Sequence, residues 1–254
     1  MDERAAMREA WNDRARRDAF HYVETKHWNG DVDGFFALGE ERCRLLVDPV
    51  LESRGVAASD GTALDLGCGV GRITRALARR FGTVIGIDVS DEMVRRAREL
   101  HPPGAYQNLR FAESDGVSIG LDDGSVDFVF SYEVLQHMPS RDVILGTLAE
   151  IRRVLRPSGF ALVHVHTAPS LAVVLRSRLI SRLPTSLVRT LKTYVLRQDP
   201  LVADQTFRGS PPLRPAEIRP FFERAGLAVE EVREDPTHVV QPRAFVIAVR
   251  GDVP

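Results

Sequence analysis

ALDLGCGVGRIT, residues 63–74, is the stretch that decides how the rest of the chain is read. A short apolar run, ALDL, passes into Gly67, Gly69 and Gly71, and a helix-forming run begins directly behind them. Glycines at a strand-to-helix turn permit a tight reversal and let backbone N–H groups approach a ligand. The helix that follows presents its positive end to the same place. Alone, the pattern is weak evidence for a nucleotide fold. TVIGID then ends on Asp88, and a carboxylate at the end of a second strand can accept both hydroxyls of a ribose. The loop has no Walker lysine, and Arg72 stands where a GxGxxG pattern needs its third glycine. Cradling of ATP phosphates and ordinary dinucleotide binding are therefore poorly supported.

Outward from this loop, strand and helix patterns alternate. TALDL is followed by the helical run GRITRALARRF, and TVIGID by DEMVRRAREL, which Ser90 can cap and whose first turn holds Asp91 and Glu92. NLRFA and, after the turn DDG, SVDFVFSY supply two more strands. RDVILGTLAEIRRVL is a helix ended by Pro157, and GFALVHVHT is a fifth strand. After PAEIRPFFERAGL, a helix ending at Gly226, AVEEVRED and RAFVIAVR are expected as an antiparallel hairpin at one sheet edge. Upstream, residues 2–25 are helical, with Trp11, Ala15 and Phe20 as spaced apolar contacts. HWNGDVDG interrupts, and a second helix runs over 35–54 to Gly55.

These units imply an α/β fold: a Rossmann-like, seven-stranded, mostly parallel sheet with helices on both faces. An N-terminal helical lid and a helical lid inserted after strand five complete it. The expected organisation is a single domain over 1–254. It comprises a cap at 1–55, a core at 56–167, an insertion at 168–212, and a C-terminal helix with edge strands at 213–254.

The composition is that of an ordinary globular chain. Its 254 residues are 44% hydrophobic and 27% charged, and the formal net charge of −1 gives no electrostatic reason to expect nucleic acid as a partner. Cys43 and Cys68 are too few for a disulfide framework and form no metal-type cluster. MDERAAMREAW lacks the apolar core of a signal peptide, so a cytoplasmic enzyme is the default expectation.

LDLGCGVGRIT, GIDVS, SVDFVFSYEVLQHM and LRPSGFALVHV occur in the order and spacing of the class I S-adenosylmethionine-dependent methyltransferases, and the chain resembles that family over about residues 58–167. The resemblance implies S-adenosyl-L-methionine as cofactor and a set of binding positions. Asp65 meets the loop or the cofactor's amino group. Gly67 and Gly69, with Cys68 as the small residue between them, let the backbone lie along the methionine part. Asp88 holds the ribose, Val89 packs on adenine, Asp115 takes the exocyclic amine and Gly116 offers its backbone. Ser131 lies near the cofactor's amino-acid portion. Tyr22 and Trp28 close the site as part of an N-terminal lid.

Methyl transfer needs an aligned acceptor and, for a hydroxyl, a base, for which histidine is the usual candidate. His101 falls after a helix in a surface turn and is set aside. His137, in EVLQHM, serves either as base or as a positioning contact. His164 and His166 approach the carboxyl end of strand five, the side where open sheets bind ligands. His166, nearer that end, is the better catalytic candidate, and His164 is a supporting residue. His238, between the last strands, is a third candidate. No third ligand accompanies the His164/His166 pair, so no metal is expected.

The segment SLAVVLRSRLISRLPTSLVRTLKTYVLRQ carries Arg176, Arg178, Arg182, Arg189, Lys192 and Arg197 but no acid. Its basic amphipathic character suits a lid over a small-molecule acceptor, a contact in a homodimer, or peripheral contact with an anionic membrane. Together these readings favour O-methylation of a hydroxyl in a sugar or natural product. N-methylation of a small amine, or a non-catalytic cofactor-binding protein of the same shape, is the alternative.

Overall fold

The computed structural model describes residues 3–25, 27–56, 58–167, 209–235 and 243–251. His238 and most of the 168–212 insertion lie outside the described residues.

Seven strands form one sheet: β1 Thr62–Leu66, β2 Thr83–Asp88, β3 Leu109–Glu113, β4 Val126–Ser131, β5 Leu155–His166, β6 Leu227–Glu234 and β7 Arg243–Arg250. Their order is β3-β2-β1-β4-β5-β7-β6, with β1 to β5 parallel and β7 antiparallel to both β5 and β6. The helices are α1 Glu3–Val23, α2 Val32–Arg42, α3 Asp48–Ser53, α4 Arg72–Leu77, α5 Asp91–Leu100, α6 Arg141–Val154 and α7 Pro215–Glu223.

Because side chains alternate across a strand, each strand feeds two cores. Leu64, Leu66, Val129, Ala161 and Val163 face the layer that includes Leu148 and Ile151 of α6 and Phe222 of α7. Ala63, Phe128, Phe130, Phe160 and Leu162 face the layer that includes Val50 of α3 and Ile73 and Leu77 of α4. Asp65 shares the second face by register, which brings it beneath α4.

Two elements differ from the sequence expectation. The helix expected over 35–54 is α2 and α3 joined by a π-helical stretch, Cys43–Val47, so one extra residue per turn interrupts the ladder. Pro157 does not end α6. The helix stops at Val154, Leu155 turns extended, and Pro157 sits in β5 where the β4 register shifts between Val126 and Phe128. An irregular stretch of that kind tolerates a residue with no N–H to give. β6 and β7 form the expected antiparallel pair at one sheet edge, with β6 outermost and β7 beside β5.

Helix α1 bends at Asp18, whose backbone is extended (φ −164°, ψ 94°). Asp18 Oδ1 then accepts the N–H of His21, capping the continuation, and Oδ2 accepts the indole N–H of Trp28. The front half of α1 is tied to the sheet by Asn12. Its side chain accepts the Ser90 hydroxyl at 2.6 Å and donates to Asp91 at 2.6 Å, at the head of α5. These bonds lay Met7 and Trp11 over the ends of β2 and β4.

Candidate active site

A cavity of about 1050 Å³, its open mouth included, lies at the carboxyl ends of β1, β2 and β4 and beneath α1. This is where an open parallel sheet reverses its strand order, the usual ligand position. The floor is the glycine loop. Gly67 and Cys68 donate their N–H groups to the Ile87 carbonyl at 2.7 and 3.1 Å, which folds the loop against β2. Gly67 has φ +78°, and a Cβ there would lie 2.2 Å from Val134 Cγ2. Both its backbone geometry and the closeness of the β4 loop exclude a side chain.

The acids come next. Asp88 Oδ2 accepts the N–H of Gly69 at 2.9 Å, and Oδ1 accepts that of Ser90 at 2.9 Å, so the carboxylate is fixed in orientation. Burial raises its pKa against these two hydrogen bonds, which favour the ionised form. Asp65 is buried and accepts the Thr74 hydroxyl at 2.7 Å. Burial, aided by the nearby charge of Asp88, lifts its pKa to about 7, while the Thr74 bond and Arg72 oppose the rise. Glu133 follows β4 with φ +61°, a left-handed conformation rare outside glycine, and its carboxylate pairs with Arg243 of β7. A cavity lined by Asp65, Asp88 and Glu133 favours a cationic ligand.

Of the residues expected from the sequence, Asp65, Gly67, Cys68, Gly69, Asp88, Val89, Gly116, Tyr22 and His137 all line this cavity. Burial pushes the Cys68 thiol well above its ordinary pKa, in keeping with a space-filling role rather than a nucleophilic one. The others lie elsewhere. Asp115 is exposed, accepts the N–H groups of Val117 and Ser118 at 2.9 and 2.7 Å, and faces Arg4 at 3.6 Å. It organises its own turn, while Ser114 and Gly116 on either side line the cavity. Ser131 is wholly buried at the end of β4. Trp28 stacks on Phe20 with centroids 4.8 Å apart and meets Phe35 edge-on, joining α1 to α2.

The histidines divide likewise. His137 closes a short 3-10 turn, Leu135–His137, at the cavity wall. Its pKa is pushed down to about 4, chiefly by burial and further by the charges of Arg14 and His166. His166 ends β5, paired in register with Arg243, and is not part of the lining. His164 is fully buried and meets Asp235 at 3.2 Å between Nε2 and Oδ2. His101 is not in a surface turn. It is buried against Phe36, Tyr106 and Phe111, with Nδ1 2.8 Å from the Ala97 carbonyl. Among the described residues no group of three or more His, Cys, Asp or Glu is placed to hold a metal ion.

Sequence reasoning missed Met7, Trp11, Arg72 and Glu133, all of which line the cavity. Trp11 reads as an ordinary core position because its helical spacing is the same in either role. Its ring meets His137 at 5.1 Å between centroids, with the planes at 81°. Arg72 is buried, pairs with Glu24 just beyond α1, and stands over Phe35.

Residues 64–163 match the methyltransferase domain family. A 2-methyl-6-phytyl-1,4-hydroquinone methyltransferase of Synechocystis is 41% identical over 103 residues, 40% of this chain and 31% of that protein. A probable methyltransferase of Aspergillus luteorubrus is 34% identical over 175 residues, 64% of this chain and 55% of that one. The chain thus spans about a third of the first relative and just over half of the second. The magnesium protoporphyrin IX methyltransferase of Synechocystis PCC 6803, solved with bound SAH, superposes with a TM-score of 0.68 at 17% identity, covering 97% of this chain and 99% of that one. Residues 64–163 are thus similar to a methyltransferase domain, and the chain shares the fold of that solved methyltransferase.

Proposed function

We propose that the protein transfers a methyl group from S-adenosyl-L-methionine to a small-molecule acceptor, with a hydroxyl oxygen as the receiving atom. The observation that carries this reading is the convergence of Asp65, Asp88 and His137 on one cavity roofed by Trp11. Asp88 has fixed oxygens for two ribose hydroxyls, and Val89, Gly116 and Met7 form an apolar slot beside it for adenine. Asp65, raised toward neutrality by burial among acids, is stabilised by a cation, which suits the ammonium and sulfonium charges of this cofactor.

When bound, the cofactor supplies an electrophilic methyl carbon whose leaving group is a neutral thioether. The chain's part is to align the acceptor, exclude water and receive a proton. His137 is neutral at neutral pH and can accept the acceptor's hydroxyl hydrogen, while Trp11 shields it. A low basicity suits a hydrogen-bond acceptor that takes the proton late, as the oxygen–carbon bond forms. His166 would act from outside the lining, through its effect on His137.

The test is transfer of labelled methyl from S-adenosylmethionine to a panel of phenols, sugars and amines, with the product atom read by mass spectrometry and NMR. Labelled ethers support the reading, labelled amines replace it with N-methylation, and binding without turnover identifies a non-catalytic protein. Asp88→Ala should weaken binding of S-adenosylhomocysteine, the demethylated cofactor, by about tenfold or more. Unchanged affinity would remove the ribose assignment.

A further inference from the structure

Arg14 lies on the inner face of α1, beyond Trp11. Its guanidinium carbon is 4.7 Å from the centre of the Trp11 ring and 6.0 Å from that of Tyr22, and both rings line the cavity. The side chain is partly buried. Two other arginines of the same helix are paired, Arg4 with Asp115 and Arg16 with Glu9 and Asp13, but no carboxylate pairs with Arg14 among the described residues. A guanidinium held partly out of water without a counter-ion is costly, and stacking on aromatic rings offsets only part of the cost. Arg14 and His166 both act on His137 from just outside the lining, while the acid at this end of the cavity, Glu133, is taken up by Arg243.

A second guanidinium separates the roles. Arg72 is buried in the cavity wall directly behind the glycine loop, and its Nε has no hydrogen-bond partner among the described residues. Glu24 holds its guanidinium beside the loop, so the methyl-transfer reading gives Arg72 to the carboxylate of the cofactor's amino-acid end and leaves Arg14 for the acceptor. We infer that Arg14 recognises the acceptor, and that the acceptor bears an anionic oxygen group, carboxylate or phosphate, beside a planar or apolar body that fits between Trp11 and Tyr22. A planar guanidinium offers parallel N–H donors to either oxyanion, and rings on which it is stacked keep it from turning away. The inference rests on the methyl-transfer reading above and narrows the acceptors it admits.

Calorimetric titration of the full chain, with and without S-adenosylhomocysteine, tests it with three probes that share a phenol ring: 4-hydroxybenzoate, 4-hydroxyphenyl phosphate and 4-hydroxybenzamide. At least one of the two acids should bind about tenfold tighter than the amide, and the tighter acid identifies the oxyanion. Arg14→Gln should bring the acids to the level of the amide while keeping S-adenosylhomocysteine affinity within about twofold, and Arg14→Lys should retain part of the preference. Equal response to acids and amide in the parent protein, absence of any response included, overturns the assignment. So does an Arg14→Gln protein that loses cofactor affinity by about tenfold, because the guanidinium then serves the cofactor. Failure of the parent to bind S-adenosylhomocysteine would instead strike the methyl-transfer reading, and the acid preference is measured separately in its absence.

Discussion

Trp11 and His137 meet at right angles, one from the N-terminal helix and one from the loop after β4, with ring centroids 5.1 Å apart. They join the cap to the carboxyl end of the sheet, and each sets the environment of the other. Trp11 packs against the imidazole, and burial is the first cause that pushes the His137 pKa down to about 4. Trp11→Ala should therefore raise the His137 pKa toward the ordinary histidine value. NMR titration of the imidazole resonances reads this directly, and a pKa left near 4 would mean that other groups exclude the water. A cost in stability of about 1–3 kcal/mol should accompany the change, since the ring is only partly buried.

Asp65 should make cofactor binding depend on pH. With its pKa at about 7 the carboxyl is largely protonated in mildly acid solution, and a cationic ligand favours the ionised form. Binding should release a proton, so affinity for S-adenosylhomocysteine rises with pH up to about 7 and then levels off. Thr74 donates to the ionised carboxylate, and Thr74→Val should move the levelling-off point upward. Calorimetry between pH 5.5 and 8 in buffers of different ionisation enthalpy measures both effects. A flat profile in the parent, or one unaltered by Asp65→Asn, would show that Asp65 does not titrate with the ligand.

The Glu24–Arg72 pair fastens the cap to the glycine loop, with side chains 11% and 4% exposed. Burial is expensive for both charges, and each is tolerated because the other is present. Glu24→Gln should destabilise the fold by about 3 kcal/mol in urea denaturation, because it strands the Arg72 guanidinium. Removing both charges, as in Glu24→Gln with Arg72→Met, should recover much of that loss. If the double variant is no more stable than the single one, the pair does not act as a unit.

The legibility of this molecule followed the range of the forces involved. β1, the glycine loop, β2 and Asp88 were readable because a tight turn, a helix start and a buried strand each leave a local mark within a few residues. The same holds for Ser90, whose hydroxyl accepts the Met93 N–H as the sequence implied. Pro157 misled because its effect depends on where the partner strand is, and in β5 it falls in an irregular stretch. Asp115 was chosen by its place after the third strand, yet its carboxylate turns back on the N–H groups of Val117 and Ser118. Trp28 and Trp11 show the limit most plainly. Trp11 lies within α1 and Trp28 in the break after it, and the bend at Asp18 and the bonds of Asn12 decide that Trp11 reaches the cavity and Trp28 does not.

His137 provides the last prediction, in which stability and activity separate. Its pKa in the folded protein, about 4, lies below the ordinary value of 6.5 that it takes in the unfolded chain. Between those values the unfolded chain binds more protons, so stability contributed by the neutral imidazole is complete above pH 6.5 and is lost as pH falls toward 4. His137→Gln removes that dependence. The variant should lose less stability than the parent on going from pH 6.5 to 4, the difference reaching at most about 3 kcal/mol. Parallel curves for the two proteins would show that His137 is not buried as a neutral group. If the imidazole also receives the acceptor's proton, the same variant should turn over about a hundredfold more slowly with cofactor affinity unchanged. A variant with the expected acid stability but full turnover would leave His137 as part of the wall, and the proton would have to pass to another group.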